Sequence, residues 1–309
     1  MSNVHRLKSN LIAAALFTGA AAVACGQVAP GPAVAFTWDD LPAHSALPTG
    51  ESRLAIIKSI LETMKGQGLP PAYGFINGIR TQEEPGTESV LKAWRAAGNP
   101  LGNHTWSHMN LNTASAEAWE QDAEKNESLL RQYAQGKDWH WLRYPNLAEG
   151  QAEKRIAIRT YLAGKGYHVA SVTMSFGDWA FNAPYARCVA QHNDAAIAQL
   201  EAEYLKAADD TITYTRAASQ STTGRDIPYV LLMHVGALDA KLLPRLLALY
   251  KQRGFRFITL EQAEADPFYA TDHTIVPTAN RSTIEAVAAA KSIQLPPHPA
   301  LPNMDNICR

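Results

Sequence analysis

Two adjacent carboxylates and a pair of closely spaced histidines suggest a metal site. Asp39 and Asp40 directly follow the apolar run 34–38, and a divalent cation would offset their mutual repulsion. His104 and His108 follow another apolar run, and a spacing of four residues lets both rings face one ion. One carboxylate with two imidazoles leaves room for water, which is typical of a catalytic site for a divalent transition metal, with zinc favoured. The alternative for the two aspartates is a solvated turn, because aspartate is common in loops.

Two further histidines lie in comparable positions. His234 ends the apolar run 229–233, and a histidine at the carboxyl end of a buried strand is a candidate general acid or base. His44 lies four residues after Asp40 and is close enough to line the same cleft. We nevertheless expect His44 to be a surface residue.

The chain alternates short apolar runs with longer amphipathic stretches, which predicts a mainly parallel sheet covered by helices. Seven runs are predicted to be buried strands: 34–38, 72–76, 100–103, 139–143, 168–173, 229–233 and 255–260. Five stretches between them are predicted to be helices: 52–65, 87–97, 113–133, 151–163 and 240–252. Because the carboxyl ends of parallel strands meet at one edge, where such folds place their active sites, the candidate residues should lie close together.

Two segments fall outside this alternation. The stretch 183–226 is an insertion between two strands, helical in composition through Leu205 and polar afterwards. The stretch 266–309 is rich in proline around 295–302, and we expect an irregular extension on the surface. A catalytic domain would then cover residues 30–265.

The N-terminus has the features of a secretory signal peptide. A basic segment precedes an apolar stretch at 11–24, and Ala22 and Ala24 form an A-x-A-like cleavage site. Residues 1–24 are therefore predicted to direct export to the periplasm or the medium; the alternative is a buried core helix. Cys25 directly after this site also allows a lipoprotein, in which a lipid on Cys25 would provide the membrane contact.

An oxidising compartment would let the two remaining thiols, Cys188 and Cys308, form a disulfide that ties the extension to the body. The alternative is two unpaired buried thiols. The formal net charge of −1 and the lack of any basic run in the sequence give no electrostatic reason to expect a nucleic-acid partner. A neutral ligand, or one with few charges, fits this balance better.

Five motifs resemble those of the polysaccharide deacetylases, also called the NodB-homology or carbohydrate esterase 4 family. They occur in the family's order over about residues 33–265, which makes the resemblance specific. They are Thr37-Trp38-Asp39-Asp40 (T-F-D-D in the family), His104-Thr105-Trp106-Ser107-His108 (H-[ST]-x-x-H), Arg143-Tyr144-Pro145 (R-x-P), Asp178-Trp179 (D-W) and Leu232-Met233-His234 (L-x-H). The resemblance implies an α/β fold, a distorted (β/α) barrel of about seven strands.

The resemblance also implies which residues handle the metal and the water. Asp40, His104 and His108 would bind a divalent transition metal, with Zn²⁺ the first choice. Asp39 would be the general base that activates water at the metal. Arg143 would hold Asp39 and keep it ionised.

The remaining motif residues would act on the other side of the scissile bond. His234 would be the general acid that protonates the leaving group, and Asp178 would tune its pKa. The other implied roles are contacts with the substrate, made by Trp179 and Leu232 against the acetyl methyl group, by a backbone N–H near Asn146 at the oxyanion, and by Tyr144.

The family's activity is the removal of N- or O-linked acetyl groups from a carbohydrate, and the resemblance implies this for the present chain. Three departures from the family's pattern concern the choice of substrate rather than the reaction. Ser175 stands at a usually acidic position, Asn146 replaces a common aromatic residue, and the insertion is long. One alternative is a deformylase or an imide or amide hydrolase that acts on a small molecule. Another is a non-catalytic carbohydrate-binding protein, which would be expected to have lost Asp39 or a metal ligand.

Overall fold

A computed structural model of the chain describes residues 1, 31–270, 282–304 and 306–309. The predicted signal peptide after Met1, and Cys25 with it, lies outside the described residues. Within 31–309, the described residues form one parallel sheet of seven strands. These are β1 (Ala33–Leu41), β2 (Gly74–Ile76), β3 (Leu101–Asn103), β4 (Trp141–Leu142), β5 (His168–Val169), β6 (Tyr229–His234) and β7 (Arg256–Phe257). Each contains part of one of the seven predicted strands.

The sheet curls so that its two edges approach each other. The strand order is β5-β4-β3-β2-β1-β6, and β7 pairs with the start of β1. Beyond β5 the chain reaches the other edge of the sheet, where Met174 forms a parallel bridge with Leu231 of β6. This curled parallel sheet confirms the distorted (β/α) barrel that the resemblance implied.

The two central strands explain how the candidate residues come together. All of β6 and all of β1 except Asp40 are buried, as expected of parallel strands covered on both faces. The register between them runs from Val34 opposite Tyr229 to Asp39 opposite His234. Asp39 and His234 are therefore neighbours at the carboxyl edge of the sheet, although they are far apart in sequence.

The five helices predicted from spacing are all present, within about three residues at each end. Ser52 and Ser115 cap two of them, each accepting a hydrogen bond from a backbone N–H three residues later. The helices are α1 (Arg53–Gln67), α2 (Arg80–Glu83), α3 (Glu88–Ala96), α4 (Ala116–Ala134), α5 (Ala152–Gly164), α6 (Trp179–Ala190), α7 (Asp194–Thr223), α8 (Ala237–Gln252), α9 (Leu260–Glu264), α10 (Pro267–Ala270) and α11 (Thr283–Ala290). None of these helices combines the length and the apolarity needed to cross a membrane.

The insertion is more helical than its composition indicated. It contains the end of α6 and the whole of α7, which continues to Thr223 rather than ending near Leu205. The polar half stays helical because its small hydroxyl residues Thr215, Ser219 and Thr222 are buried on one face. Thr222 Oγ1, for example, donates to the backbone carbonyl of Ala218 at 2.7 Å.

The C-terminal extension is also partly helical, contrary to the expectation of an irregular segment. α11 packs against α7 because Ile284 and Val287 form an apolar face. The predicted disulfide between Cys188 and Cys308 is confirmed, with a Cα–Cα distance of 5.1 Å. Arg187 adds a hydrogen bond of 2.9 Å to the carbonyl of Ile307, so the end of the chain is fixed to α6.

Candidate functional site

Three of the predicted site residues lie together at the carboxyl edge of the sheet. Asp40 near the end of β1, and His104 and His108 just after β3, offer one ligand atom each within 4.8 Å of one another. Asp40, Thr105 and His108 have positive φ angles of 61°, 58° and 57°. Such backbone conformations cost energy in non-glycine residues and cluster at functional sites.

The distances within this group fit a metal ion. Nε2 of His104 and of His108 lie 3.5 and 3.6 Å from Oδ1 of Asp40. A tetrahedral ion with bonds of about 2.0–2.1 Å separates its ligand atoms by roughly 3.4 Å. Oδ1 of Asp40 is buried and has no hydrogen-bond partner among the described residues, a costly state that a cation would relieve. The residues present therefore fit the metal that the family resemblance implies.

Hydrogen bonds within and around the loop from His104 to His108 orient the two histidine rings. His104 Nδ1 lies 2.7 Å from the carbonyl of Arg143, to which it can donate only as N–H, so its Nε2 is left free to bind a metal. Asn77 Nδ2 donates to the carbonyl of His104 at 2.6 Å. Asp122 accepts two hydrogen bonds from Ser107, from its backbone N–H and from its hydroxyl. These contacts fix the loop that carries both histidines.

The electrostatics of the group favour the protonation states that a metal needs. Burial and the neighbouring His104 ring lower the pKa of His108 to about 4, so its imidazole is neutral near pH 7. Although burial opposes ionisation, the hydrogen bond from His44 and the charges of nearby histidines hold the pKa of Asp40 well below its usual range. The set is thus an ionised carboxylate with at least one neutral imidazole.

Asp39 is paired with a fully buried arginine. Arg143 Nη1 donates to the two carboxylate oxygens of Asp39 at 3.0 and 3.3 Å. Arg143 Nη2 donates to the hydroxyl of Thr37 at 3.0 Å, and its Nε donates to the carbonyl of Ala170 at 2.8 Å. An arginine anchored at three points fixes the direction of the Asp39 carboxylate.

His234 is paired with a buried aspartate. Asp178 lies 3.1 Å from His234 Nδ1, and it also accepts the backbone N–H of His234 at 2.6 Å. Although burial disfavours the charged ring, the charge of Asp178 and this side-chain hydrogen bond raise the pKa of His234 to about 10. His234 therefore carries a proton at neutral pH, and its Nε2 lies 3.9 Å from Oδ2 of Asp40.

One cavity of about 480 Å³ is lined by Asp39, Asp40, His104, His108 and His234. Trp179, Leu232 and Asn146, which were predicted to contact substrate, are part of its wall, and Trp179 is 53% exposed. The ring of Tyr144 is buried against Trp119 instead and does not line this cavity. Tyr144 is thus the one predicted substrate contact that the fold places elsewhere. Its side chain packs in a separate apolar cluster with Trp119 and does not reach the cavity.

His44 has a larger part in the site than the sequence indicated. Its Nδ1 lies 2.9 Å from Oδ2 of Asp40, and its ring lies 4.5 Å from that of His234. It lines the same cavity and is largely buried, so the expectation of a surface residue is wrong. A signal was present in the spacing, since His44 follows Asp40 by four residues, but a loop that contains Pro42 has no periodicity from which to read its direction.

Comparison with known proteins agrees with the motifs. Residues 26–161 match the polysaccharide deacetylase family. A chitin deacetylase from Pestalotiopsis sp is 27% identical over 139 residues, which are 45% of this chain and 44% of that protein. The chain therefore aligns with less than half the length of this relative.

Solved structures show the same fold. The chitin deacetylase of the fungal pathogen Colletotrichum lindemuthianum has a TM-score of 0.52 and 20% identity, over 76% of this chain and 88% of that one. BA3943 from Bacillus anthracis, described as a pseudoenzyme of the carbohydrate esterase 4 family, has a TM-score of 0.52 and 16% identity, over 76% and 66%. The sequence match over residues 26–161 and the shared fold agree with the five motifs: this part of the chain is similar to the polysaccharide deacetylase family, and the described residues have the same barrel.

Proposed function

We propose that this chain is a metal-dependent hydrolase that removes N- or O-linked acetyl groups from a carbohydrate. One observation carries the proposal. A metal-binding group, a carboxylate held by an arginine and a protonated histidine held by an aspartate all face a single cavity. These three components together can carry out hydrolysis of an amide or ester by metal-assisted attack of water.

The residues divide the chemistry between the two sides of the scissile bond. A divalent metal held by Asp40, His104 and His108, most simply Zn²⁺, would lower the pKa of water and polarise the acetyl carbonyl. Asp39 would accept the proton of the attacking water, because the hydrogen bonds from Arg143 orient its carboxylate.

The leaving group needs a proton as well, since a sugar amine or alkoxide leaves poorly without one. His234 is placed to donate it, because the charge of Asp178 keeps its ring protonated and the register puts it next to Asp39. A base on β1 and an acid on β6 thus face the same cavity from adjacent strands. Leu232 and Trp179 provide apolar walls that suit the acetyl methyl group.

The fold alone does not establish catalysis, since BA3943 has it and is described as a pseudoenzyme. The support for an active enzyme is the side chains. All of Asp39, Asp40, His104, His108 and His234 are present and lie at the distances given above, whereas a non-catalytic protein would be expected to have lost some of them.

The shape of the site supports an extended substrate over a small molecule. A second cavity of about 220 Å³ shares Leu147, Ser175 and Trp179 with the first one. Its other walls include residues of α7 and of the tail at 298–301, and they mix hydroxyl groups with apolar side chains, which suits sugar rings. The continuation of the cleft past Trp179 favours a glycan with more than one sugar.

The test is acetate release from a panel of acetylated glycans and acetylated small molecules. We expect release that stops after treatment with a chelator and returns with added Zn²⁺. Asp39→Asn should reduce kcat by a factor of about 10² or more, because it removes a general base. Asp210→Asn, at a partly exposed position of α7 that does not line the cavity, serves as the matched control and should keep full activity. Chelator-insensitive release, or full activity of Asp39→Asn, would refute the proposal.

We also propose that the chain acts outside the cytoplasm, in the periplasm or the medium. The Cys188–Cys308 disulfide supports this, because such bonds persist in oxidising compartments. Mass spectrometry of the mature N-terminus distinguishes the two forms of export. A free N-terminus at Cys25 would indicate ordinary cleavage after Ala24, a diacylglyceryl group on Cys25 would indicate a lipid anchor, and an intact residue 1 would refute export by this signal.

A further inference from the structure

We infer that His44 is a positioning residue for Asp40, and that Arg53 and Glu84 hold His44 in place. None of the five family motifs contains these three residues. The inference rests on the proposed metal site at Asp40, His104 and His108. It adds a support outside those ligands that determines which oxygen of Asp40 faces the two histidines.

The two oxygens of Asp40 have different surroundings. Oδ1 lies 3.5 and 3.6 Å from the Nε2 atoms of His104 and His108 and has no hydrogen-bond partner among the described residues. Oδ2 lies 2.9 Å from His44 Nδ1, which must donate because an ionised carboxylate has no proton to give. This hydrogen bond prevents rotation of the carboxylate and leaves Oδ1 directed at the metal position.

The loop that carries His44 is fixed by a single arginine. Arg53, in the first turn of α1, donates from Nη1 to the carbonyl of His44 at 2.6 Å and from Nη2 to the carbonyl of Ser45 at 2.7 Å. The same guanidinium makes a two-point ion pair with Glu84, with both N–O distances at 2.9 Å. Arg53 is largely buried, whereas the Glu84 side chain is 38% exposed, so only the arginine side of the pair is shielded from solvent. Glu84, Arg53, His44 and Asp40 thus form one continuous chain of contacts.

A different role for His44 is less compatible with the geometry. Asp40, His44 and His234 also form a group whose ligand atoms lie within 4.8 Å of one another. The Asp40–His44 contact of 2.9 Å is, however, a hydrogen-bond distance and is shorter than the roughly 3.4 Å between two ligands of one tetrahedral ion. His234 Nδ1 is engaged by Asp178, and the proposed function already assigns this ring to the leaving group. His44 Nδ1 therefore orients a ligand and does not serve as a ligand atom itself.

Two amide substitutions at His44 distinguish the roles of the two imidazole nitrogens. In His44→Asn the amide nitrogen lies near the former position of Nδ1, so a donor to Asp40 is kept. In His44→Gln the amide reaches the former position of Nε2, and that donor is lost. His44→Leu loses both nitrogens. We expect Zn²⁺ affinity, measured by competition with a chelating indicator, to stay within about threefold for His44→Asn and to fall about 10- to 100-fold for His44→Gln and His44→Leu.

A second variant tests the outer part of the chain of contacts. Arg53→Lys keeps the charge but cannot contact two carbonyls and a carboxylate at once, so we expect a loss of Zn²⁺ affinity in the same direction as for His44→Gln. Arg80→Lys, whose ion pair with Glu83 is on the surface, is the matched control and should not change Zn²⁺ affinity. Circular dichroism of each variant confirms that it is folded.

The outcomes separate this inference from the proposed function. The inference is overturned if His44→Gln and His44→Leu bind Zn²⁺ as tightly as the wild type. It is also overturned if the visible spectrum of the Co²⁺-loaded protein changes in His44→Asn, because His44 would then be a ligand. Loss of Zn²⁺ binding in His104→Ala supports the metal site independently of His44. A wild-type protein that binds no Zn²⁺ would refute the proposed function and this inference together.

Discussion

At the scale of single residues, the pKa of the proposed acid His234 depends on the neighbouring carboxylate of Asp178. Asp178 is fully buried, caps the backbone N–H of His234 and hydrogen-bonds its ring. The ring would otherwise lose its proton, because burial alone disfavours the charged form. The raised pKa has a consequence for the pH profile. An acid with a pKa of about 10 stays protonated through the neutral range, so activity should persist to alkaline pH.

Asp178→Asn tests this dependence. Removal of the negative charge lowers the pKa of His234, so the alkaline limb of kcat/KM should move to lower pH by at least about one unit. The measurement is a pH–rate profile on an acetylated glycan for both proteins. Asp138→Asn removes the partner of His140 in an exposed pair of the same type and should leave the profile unchanged. An identical alkaline limb in Asp178→Asn would show that this carboxylate does not set the pKa.

The residues that the sequence revealed, and the one that it did not, differ in a physical way. Asp40 and His234 end long apolar strands, and parallel strands bring their carboxyl ends together whatever the details of the loops. His44 lies in a loop whose path depends on its contacts with Arg53. Such a path follows from tertiary contacts, so its direction could not be read from spacing.

At the scale of elements, α6 and α7 stabilise a carboxyl group that lies next to the proposed acid His234. Asn182 of α6 and Tyr204 of α7 both donate to the carboxyl group of Asp239, each at 2.8 Å. Burial and the charge of Asp178 raise the pKa of Asp239 well above its usual range. α6 and α7 thus provide hydrogen bonds to a buried carboxyl group next to the Asp178–His234 pair, a role that their composition did not suggest.

Tyr204→Phe tests this support. The variant leaves a buried oxygen of Asp239 without its donor, so we expect a loss of about 1–3 kcal/mol in the free energy of unfolding. Urea titration followed by circular dichroism measures it. Tyr161→Phe, which removes an exposed hydroxyl that donates to Glu124, is the matched control and should change stability by less than about 0.5 kcal/mol. Equal stabilities of the two variants would contradict a structural role for the Tyr204 hydroxyl.

The length of α7 shows where composition fails as a guide to helices. Its second half is rich in threonine and serine, which have modest helix propensity, and this suggested a polar loop. Burial against the body of the protein outweighs that preference, because Ile212 and Ala218 lie on the same face as the buried hydroxyls. Propensity is local, whereas the packing partner of a helix is known only from the fold.

At the scale of the whole molecule, the last residues of the chain complete the cleft. The tail passes Trp179, and Leu301, which is 43% exposed, lines the second cavity together with His298 and residues of α7. The disulfide at Cys308 joins the tail to α6 across a sequence separation of 120 residues. A glycan that extends from the catalytic cavity past Trp179 would therefore contact a wall that one covalent bond keeps in place.

Removal of the Cys188–Cys308 disulfide should weaken the binding of a long substrate without affecting the chemical step. In the double variant Cys188→Ser/Cys308→Ser, we expect KM for an acetylated oligosaccharide to rise severalfold while kcat/KM for a small acetate ester stays unchanged, because the metal group and the acid–base residues lie outside the tail. Stability should fall by about 2–5 kcal/mol in urea titration, since a long loop is no longer closed. Assays are run well below the melting temperature of the variant, and wild type treated with a reductant should behave like it. Equal loss on both substrates would instead indicate damage to the catalytic cavity.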